Sequence, residues 1–271
     1  MNLCFFFEGT GQGVSGNETN VTRLHDVCIG SERQKLRIEA GPGTHFGAYL
    51  RGLLHGHDWW LVFRGARRWF EKNRHAHPPS TQPLKVYVFG FSRGALIARH
   101  FTAWLDKLGV EVAYLGLWDT VDATLGLDVS EECPPNVRYA RHALARDEKR
   151  RFYKYIPLRP SKAPGWPGTV EELVFPGTHS DVGGLYADNH VVADLTLGWI
   201  AQGAQACGLL VRQEELPKVT ADRLETAVLH DSSNEATNLW GVLGGVRREL
   251  KGLKRHFSCD LIPSERYGKD T

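Results

Sequence analysis

The sequence predicts an α/β domain built on a mostly parallel sheet with helices on both faces. Three observations carry this. Short, continuously apolar runs such as Leu3–Phe7 suit strands buried on both sides. Such runs alternate with helical patterns, the arrangement that leads to parallel pairing. Glycine-rich turns close the strand-like runs where a ligand site of such a sheet would open.

The elements follow in order. Leu3–Phe7 reads as the first strand, and Gly9–Asn20, rich in Gly, Ser, Thr and Asn, as the loop after it. Asp58 is placed to cap a helix through "WWLVFRGARRWFEKN", a crossover helix with Trp59, Trp60, Phe63, Ala66 and Phe70 on one face. "HPPSTQP" breaks the chain before a strand at Leu84–Phe89. A helix follows from Gly94 to about Leu108, with Gly109 as its stop signal. "EVAYLGLWD" reads as a strand, residues 127–168 as an excursion above the sheet, and "VEELVF" as another strand. "VVADLTLGWIAQGAQACGLL" reads as a helix closing at Gly208. No repeat or linker divides residues 1–271, so a single domain is expected.

Composition narrows the function. The 271 residues are 42% hydrophobic and 24% charged, as in a globular protein. A formal net charge of +2 is too small to imply a nucleic-acid partner. Five scattered cysteines, never in a CxxC pair, argue against a disulfide framework or a zinc site and for a reducing compartment. No stretch approaches the roughly 20 apolar residues of a membrane span. "MNLCFFFEGTG" lacks the basic flank and length of a signal peptide.

"GFSRG" (Gly90–Gly94) fits the pattern G-x-S-x-G between a strand and a helix. There a serine sits on a sharp turn with its hydroxyl above the sheet, and the helix N-terminus faces the developing oxyanion. The competing reading is a plain turn whose serine caps the helix. As a nucleophile, Ser92 needs a base, and the base a carboxylate. Asp119 in "LGLWDTV" and Asp181 in "THSDVGG" are the candidate acids; His179 in "THSD" and His230 in "VLHDSSN" are the candidate bases. An oxyanion hole would draw on the amide of Arg93 and on the turn at Gly9, Thr10 and Gly11. That turn lacks the spacing of a nucleotide-binding loop.

The segments "FFFEGTG", "TNVTRL", "VFGFSRGALIAR", "GLWDTV", "HALARDEKRRF", "FPGTHSDVGGLY" and "ADLTLGWIAQGA" resemble, in the same order, the α/β-hydrolase domain of type VI secretion phospholipase effectors of the first class. The resemblance runs from Phe5 to about Ala204. It implies a serine esterase acting on glycerophospholipids, without metal or cofactor, with Ser92 as nucleophile, Asp119 as acid and His179 as base. Asp181 with His230 is the alternative pairing, and Asp181 is otherwise a brace for its loop. The family usually has aspartate where Glu8 stands, and its longer members add a membrane-binding region of which this chain has almost none.

The same resemblance implies synthesis in a bacterial cytoplasm without a signal peptide and delivery by a type VI system into target cells. A secretion-apparatus or adaptor protein and a cognate immunity protein would be its partners, with no nucleic acid and at most peripheral membrane contact. "NLWGVLGGVRRELKGLKRHF" carries an apolar stripe from Leu239 to Phe257 beside Arg247, Arg248, Lys251, Lys254 and Arg255. It reads either as a helix lying on an anionic bilayer or as one packed on the core. A non-lipid acyl hydrolase and a catalytically silent binding module are the other functional readings.

Overall fold

A computed structural model describes residues 1–13, 19–43, 59–74, 83–121, 129–150, 153–232 and 254–255. Their strands form one sheet in the order β2-β1-β3-β4-β5-β6-β7, with every neighbouring pair parallel. The strands are β1 (Asn2–Phe7), β2 (Gln34–Glu39), β3 (Lys85–Phe91), β4 (Val112–Trp118), β5 (Tyr139–Ala145), β6 (Thr169–Phe175) and the two-residue β7 (Lys254–Arg255).

β1 is fully buried from Leu3 to Phe7, and its alternate residues feed two separate cores. Cys4 and Phe6 join Tyr87 and Phe89 of β3 under α1 (Asn20–Val27) and the later helix Val191–Ala206. Leu3, Phe5 and Phe7 join Val86 and Val88 on the other face, under α2 (Trp59–Arg74) and α3 (Arg93–Lys107). Helices thus cover both faces, as the apolar runs predict. The fold class is α/β, a parallel sheet between two helical layers, as expected.

Up to residue 210, apart from the segment 127–168, the expected strands and helices lie where their patterns place them, within two or three residues. α1 and β2 were not anticipated, and α1 begins at Asn20, the last residue of the expected loop. The largest correction concerns residues 127–168. Rather than leaving the sheet throughout, this segment supplies β5, between β4 and β6. Its polar residues are matched across the strand pair: Arg141 opposes Glu171 and His142 opposes Glu172. Arg141 Nε lies 2.8 Å from Glu171, and His142 Nδ1 donates to Glu172 at 2.8 Å. His142 Nε2 accepts the Thr120 amide, so the fully buried ring is satisfied on both sides.

The rest of the segment is tied down by Arg99. Its guanidinium, on α3 and 1% exposed, donates to the carbonyls of Ser130, Ile156 and Pro157. In the expected C-terminal helix, Lys254 and Arg255 are instead strand residues paired with β6. The remainder of that stripe, Asp58 and most of "HPPSTQP" lie outside the described residues.

The chain begins in the interior of the sheet and builds outward, so its direction of progress reverses between β1 and β3. Such a reversal opens a crevice at the carboxyl ends of the strands. The turns after β1 and β3 meet there.

Candidate active site

Ser92 follows the last residue of β3 and precedes the first of α3, with φ 59° and ψ −128°. Its amide continues the sheet by donating to Trp118 at 3.0 Å. The two motif glycines permit the bend. A Cβ on Gly90 would stand 2.7 Å from Ala95 Cα, and one on Gly94 2.3 Å from the carbonyl oxygens of Phe7 and Glu8. Helix and strand end are therefore in backbone contact. The Ser92 side chain makes no capping bond to α3, which removes the helix-capping explanation for it.

Among the described residues, Ser92 and Asp119 are the two non-glycine residues with positive φ. Strain of this kind persists only where surrounding structure enforces it, and it concentrates at functional sites. Asp119 follows the end of β4 and is fully buried. Its amide donates to Ala143, and its Oδ1 accepts the Ala145 amide at 3.0 Å. β5 thereby fixes the carboxylate and turns Oδ2 toward His179, whose Nδ1 donates to it at 2.7 Å.

His179 opens α4 (His179–Gly183), directly after the β6 strand and its turn. Its ring stacks on Phe91, the neighbour of Ser92, at 4.6 Å between centroids, while Tyr153 meets it edge-on at 4.9 Å. Burial pulls its pKa below the ordinary 6.5, against the opposing effect of its hydrogen bond to the Asp119 carboxylate. Its backbone amide donates to Glu148, a buried carboxylate that Arg150 holds by an ion pair and that Ser232 also reaches at 3.0 Å. Burial alone would raise the Glu148 pKa, but Arg150 and His179 bring it below its ordinary value.

The alternative pair also exists, as a different device. Asp181 Oδ1 accepts from His230 Nδ1 at 2.6 Å, while Oδ2 accepts the Thr178 amide and hydroxyl and the His230 amide. His230 Nε2 faces Asp188 at 3.1 Å, and Tyr186 stacks on the ring at 3.7 Å. With both nitrogens held by carboxylates, this ring has none to offer Ser92. Asp181 is the capping-box residue of α4, so His230 and Asp181 brace the helix that starts with His179.

The turn after β1 lies against the elbow: a Cβ on Gly9 would be 3.4 Å from Ser92 Cβ. Its amides are not equivalent. Gly9 donates to the Glu8 carboxylate and Gly11 to the Pro42 carbonyl. Thr10 keeps an amide without a partner among the described residues. Glu8 is buried and also accepts from the hydroxyls of Thr19 and Thr22, which anchors the turn to the start of α1. Burial raises its carboxyl pKa above the ordinary 4.5, those hydrogen bonds opposing. No group of three or more His, Cys, Asp or Glu among the described residues is arranged to hold a metal ion.

Glu148, Tyr153, Asp188 and Ser232 were not anticipated. Glu148 sits in "RDEKRR", a charged run that gives no sign of burial.

The fold and elbow define an α/β-hydrolase-like domain. Residues 106–203 match the family described as the catalytic domain of Tle1-like type VI secretion phospholipase effectors, so the resemblance seen in the motifs is borne out over that range. The range holds Asp119, His179 and Asp181 and begins after Ser92. No curated protein matches the chain.

Among solved structures, an uncharacterized protein from Pseudomonas aeruginosa aligns with a TM-score of 0.57 at 18% identity, covering 81% of this chain and 47% of its own. A Tle1 effector bound to the VgrG spike of the type 6 secretion system aligns with a TM-score of 0.46 at 21% identity, covering 68% and 51%. ClbQ from the colibactin pathway aligns with a TM-score of 0.43 at 12% identity, covering 76% and 98%. The chain thus spans about half the length of the first two.

Proposed function

We propose that this domain is a serine esterase that cleaves carboxylic esters of glycerophospholipids, and that it acts as an antibacterial type VI secretion lipase effector. One observation carries the chemistry: a buried Asp119–His179 pair whose ring stacks on the residue preceding a strained, non-capping Ser92. The match at 106–203 supports the lipid substrate and the delivery route.

In the proposed reaction Ser92 Oγ attacks the ester carbonyl and its proton passes to His179 Nε2. Asp119 accepts from Nδ1 and stabilises the imidazolium that forms. The amides of Arg93, at the N-terminus of α3, and Thr10 hold the oxyanion. Collapse breaks the ester bond, and the departing alkoxide takes the proton from Nε2. Water then attacks the acyl-Ser92 ester, giving its proton to His179; the acyl–Oγ bond breaks, Ser92 Oγ takes that proton back, and the fatty acid is released. Each amide donor is worth about 3 kcal/mol of transition-state stabilisation in enzymes of this chemistry.

A component of the secretion apparatus or an adaptor is the proposed carrier, and an immunity protein the proposed guard of the producing cell. The test is labelling by a fluorophosphonate probe together with fatty-acid release from phospholipid vesicles. Labelling at Ser92, and loss of both signals in Ser92→Ala, is the expected result. Labelling elsewhere would reject the mechanism, and cleavage of short soluble esters alone would replace the lipid substrate with a non-lipid one.

A further inference from the structure

α2 has two unlike faces. Val62, Ala66, Phe70 and Asn73 are buried against the sheet. The opposite stripe, at helical spacing, is Trp60, Arg64, Arg67, Arg68 and Glu71, all exposed, with Lys72 exposed beside it; Trp60 thus lies away from the apolar face on which the sequence pattern places it, because it falls on the helical row of Arg64 and Arg67. Trp60 is 45% exposed, unusual for so large an apolar ring. The Arg64 guanidinium lies 4.8 Å over its face, and that of Arg67 lies 4.8 Å over Trp104. Aromatic faces carrying guanidinium groups suit the boundary between a bilayer and water, where the ring enters the headgroup layer and the charge stays wet.

The placement of this stripe matters as much as its chemistry. α2 joins β2 to β3, which both run parallel to β1, so the helix runs against the strands. A Cβ on Gly65 would lie 3.0 Å from the carboxylate of Glu39, the last residue of β2. Trp60, five residues earlier, stands about 7.5 Å farther along the axis, beyond the carboxyl ends of the strands. Ser92 opens at that same edge. Trp59 meets His100 edge-on at 5.3 Å and so ties this end of α2 to the helix that Ser92 introduces.

We propose that the Trp60–Arg64–Arg68 stripe docks the domain on anionic phospholipid bilayers, bringing the carboxyl edge of the sheet, beside the N-terminus of α2, next to the lipid surface. The inference rests on the phospholipase reading, since a lipid-facing edge supplies substrate from the surface to which the protein is bound. Positive charge and one exposed tryptophan together match an anionic interface, where each basic residue strengthens adsorption and salt weakens it.

The test is co-sedimentation of Ser92→Ala protein with vesicles of phosphatidylglycerol mixed with phosphatidylcholine. Binding is expected to fall about tenfold or more when Trp60→Ser, Arg64→Glu and Arg68→Glu are added, and to weaken with salt. With Ser92 restored, the same three changes are expected to leave hydrolysis of a short soluble ester unchanged. If the triple variant loses soluble-ester activity, Trp60→Ser and Arg64→Gln singly carry the comparison. Equal vesicle binding by wild-type and variant stripes, equal binding to pure phosphatidylcholine, or preference for duplex DNA over vesicles overturns the proposal. A wild-type protein that binds anionic vesicles through this stripe yet cleaves no ester overturns the esterase reading instead.

Discussion

The ring of Phe91 lies nearly parallel to the imidazole of His179, with 4.6 Å between centroids and 29° between planes. The strand that delivers Ser92 therefore also supplies one wall for the histidine. Asp119 accepts from Nδ1 of that ring, and Ser92, Asp119 and His179 each follow the end of a different strand.

Asp119→Asn keeps the shape of the side chain but removes the charge that selects the Nδ1–H tautomer. In the proposed mechanism kcat for ester hydrolysis is expected to drop by roughly 10³–10⁴-fold with KM little changed. Steady-state kinetics on a soluble ester measure this. A loss under tenfold would remove Asp119 from the mechanism.

The pH profile tests His179. Only the neutral ring can take the serine proton, and burial favours the neutral form, holding the pKa below 6.5. The acid limb of kcat/KM is therefore expected below that value, with activity rising as pH climbs through it and level above. An acid limb midpoint above 6.5 would contradict a buried base.

His230 makes the opposite prediction, for stability. Burial opposes its charge, but hydrogen bonds to Asp181 and Asp188 outweigh that and raise its pKa above 6.5. A raised histidine pKa contributes stability that is fully present below the unfolded value and lost as pH rises through the folded one. The stability deficit of His230→Gln should thus be largest below about pH 6 and shrink toward pH 8.5. Urea unfolding at both ends measures it, and a deficit that grows with pH would mean the ring is held neutral.

Much of the fold was legible because apolar runs report burial directly, as in Leu3–Phe7, and glycine stops report left-handed backbone at a helix end, as at Gly109, whose φ is +66°. β5 was hidden because its burial is secured by pairing rather than by apolarity: Arg141 and His142 look like surface residues until Glu171 and Glu172 stand opposite them. The elbow announced itself through spacing that few other structures need. The choice of acid and base did not, because Asp119–His179 and Asp181–His230 are both close pairs. What distinguishes the second pair is Asp188 on the outer nitrogen of His230, a contact with no trace in local sequence, and the proposed mechanism rests on that difference. Glu148 escaped for the same reason.

Arg99 sits two turns along from Ser92, and its grip on three carbonyls beyond β4 has a consequence for how such proteins diversify. A single planar cation serves as foundation for the helix that follows Ser92 and as keystone for the outer chain that arches past it. Lengthening or replacing that arch is tolerable only if the new chain returns its oxygens to the same three places. Lysine, a point charge without the guanidinium fork, could not hold them together. Variation in the outer wall is therefore answerable to the geometry of the floor.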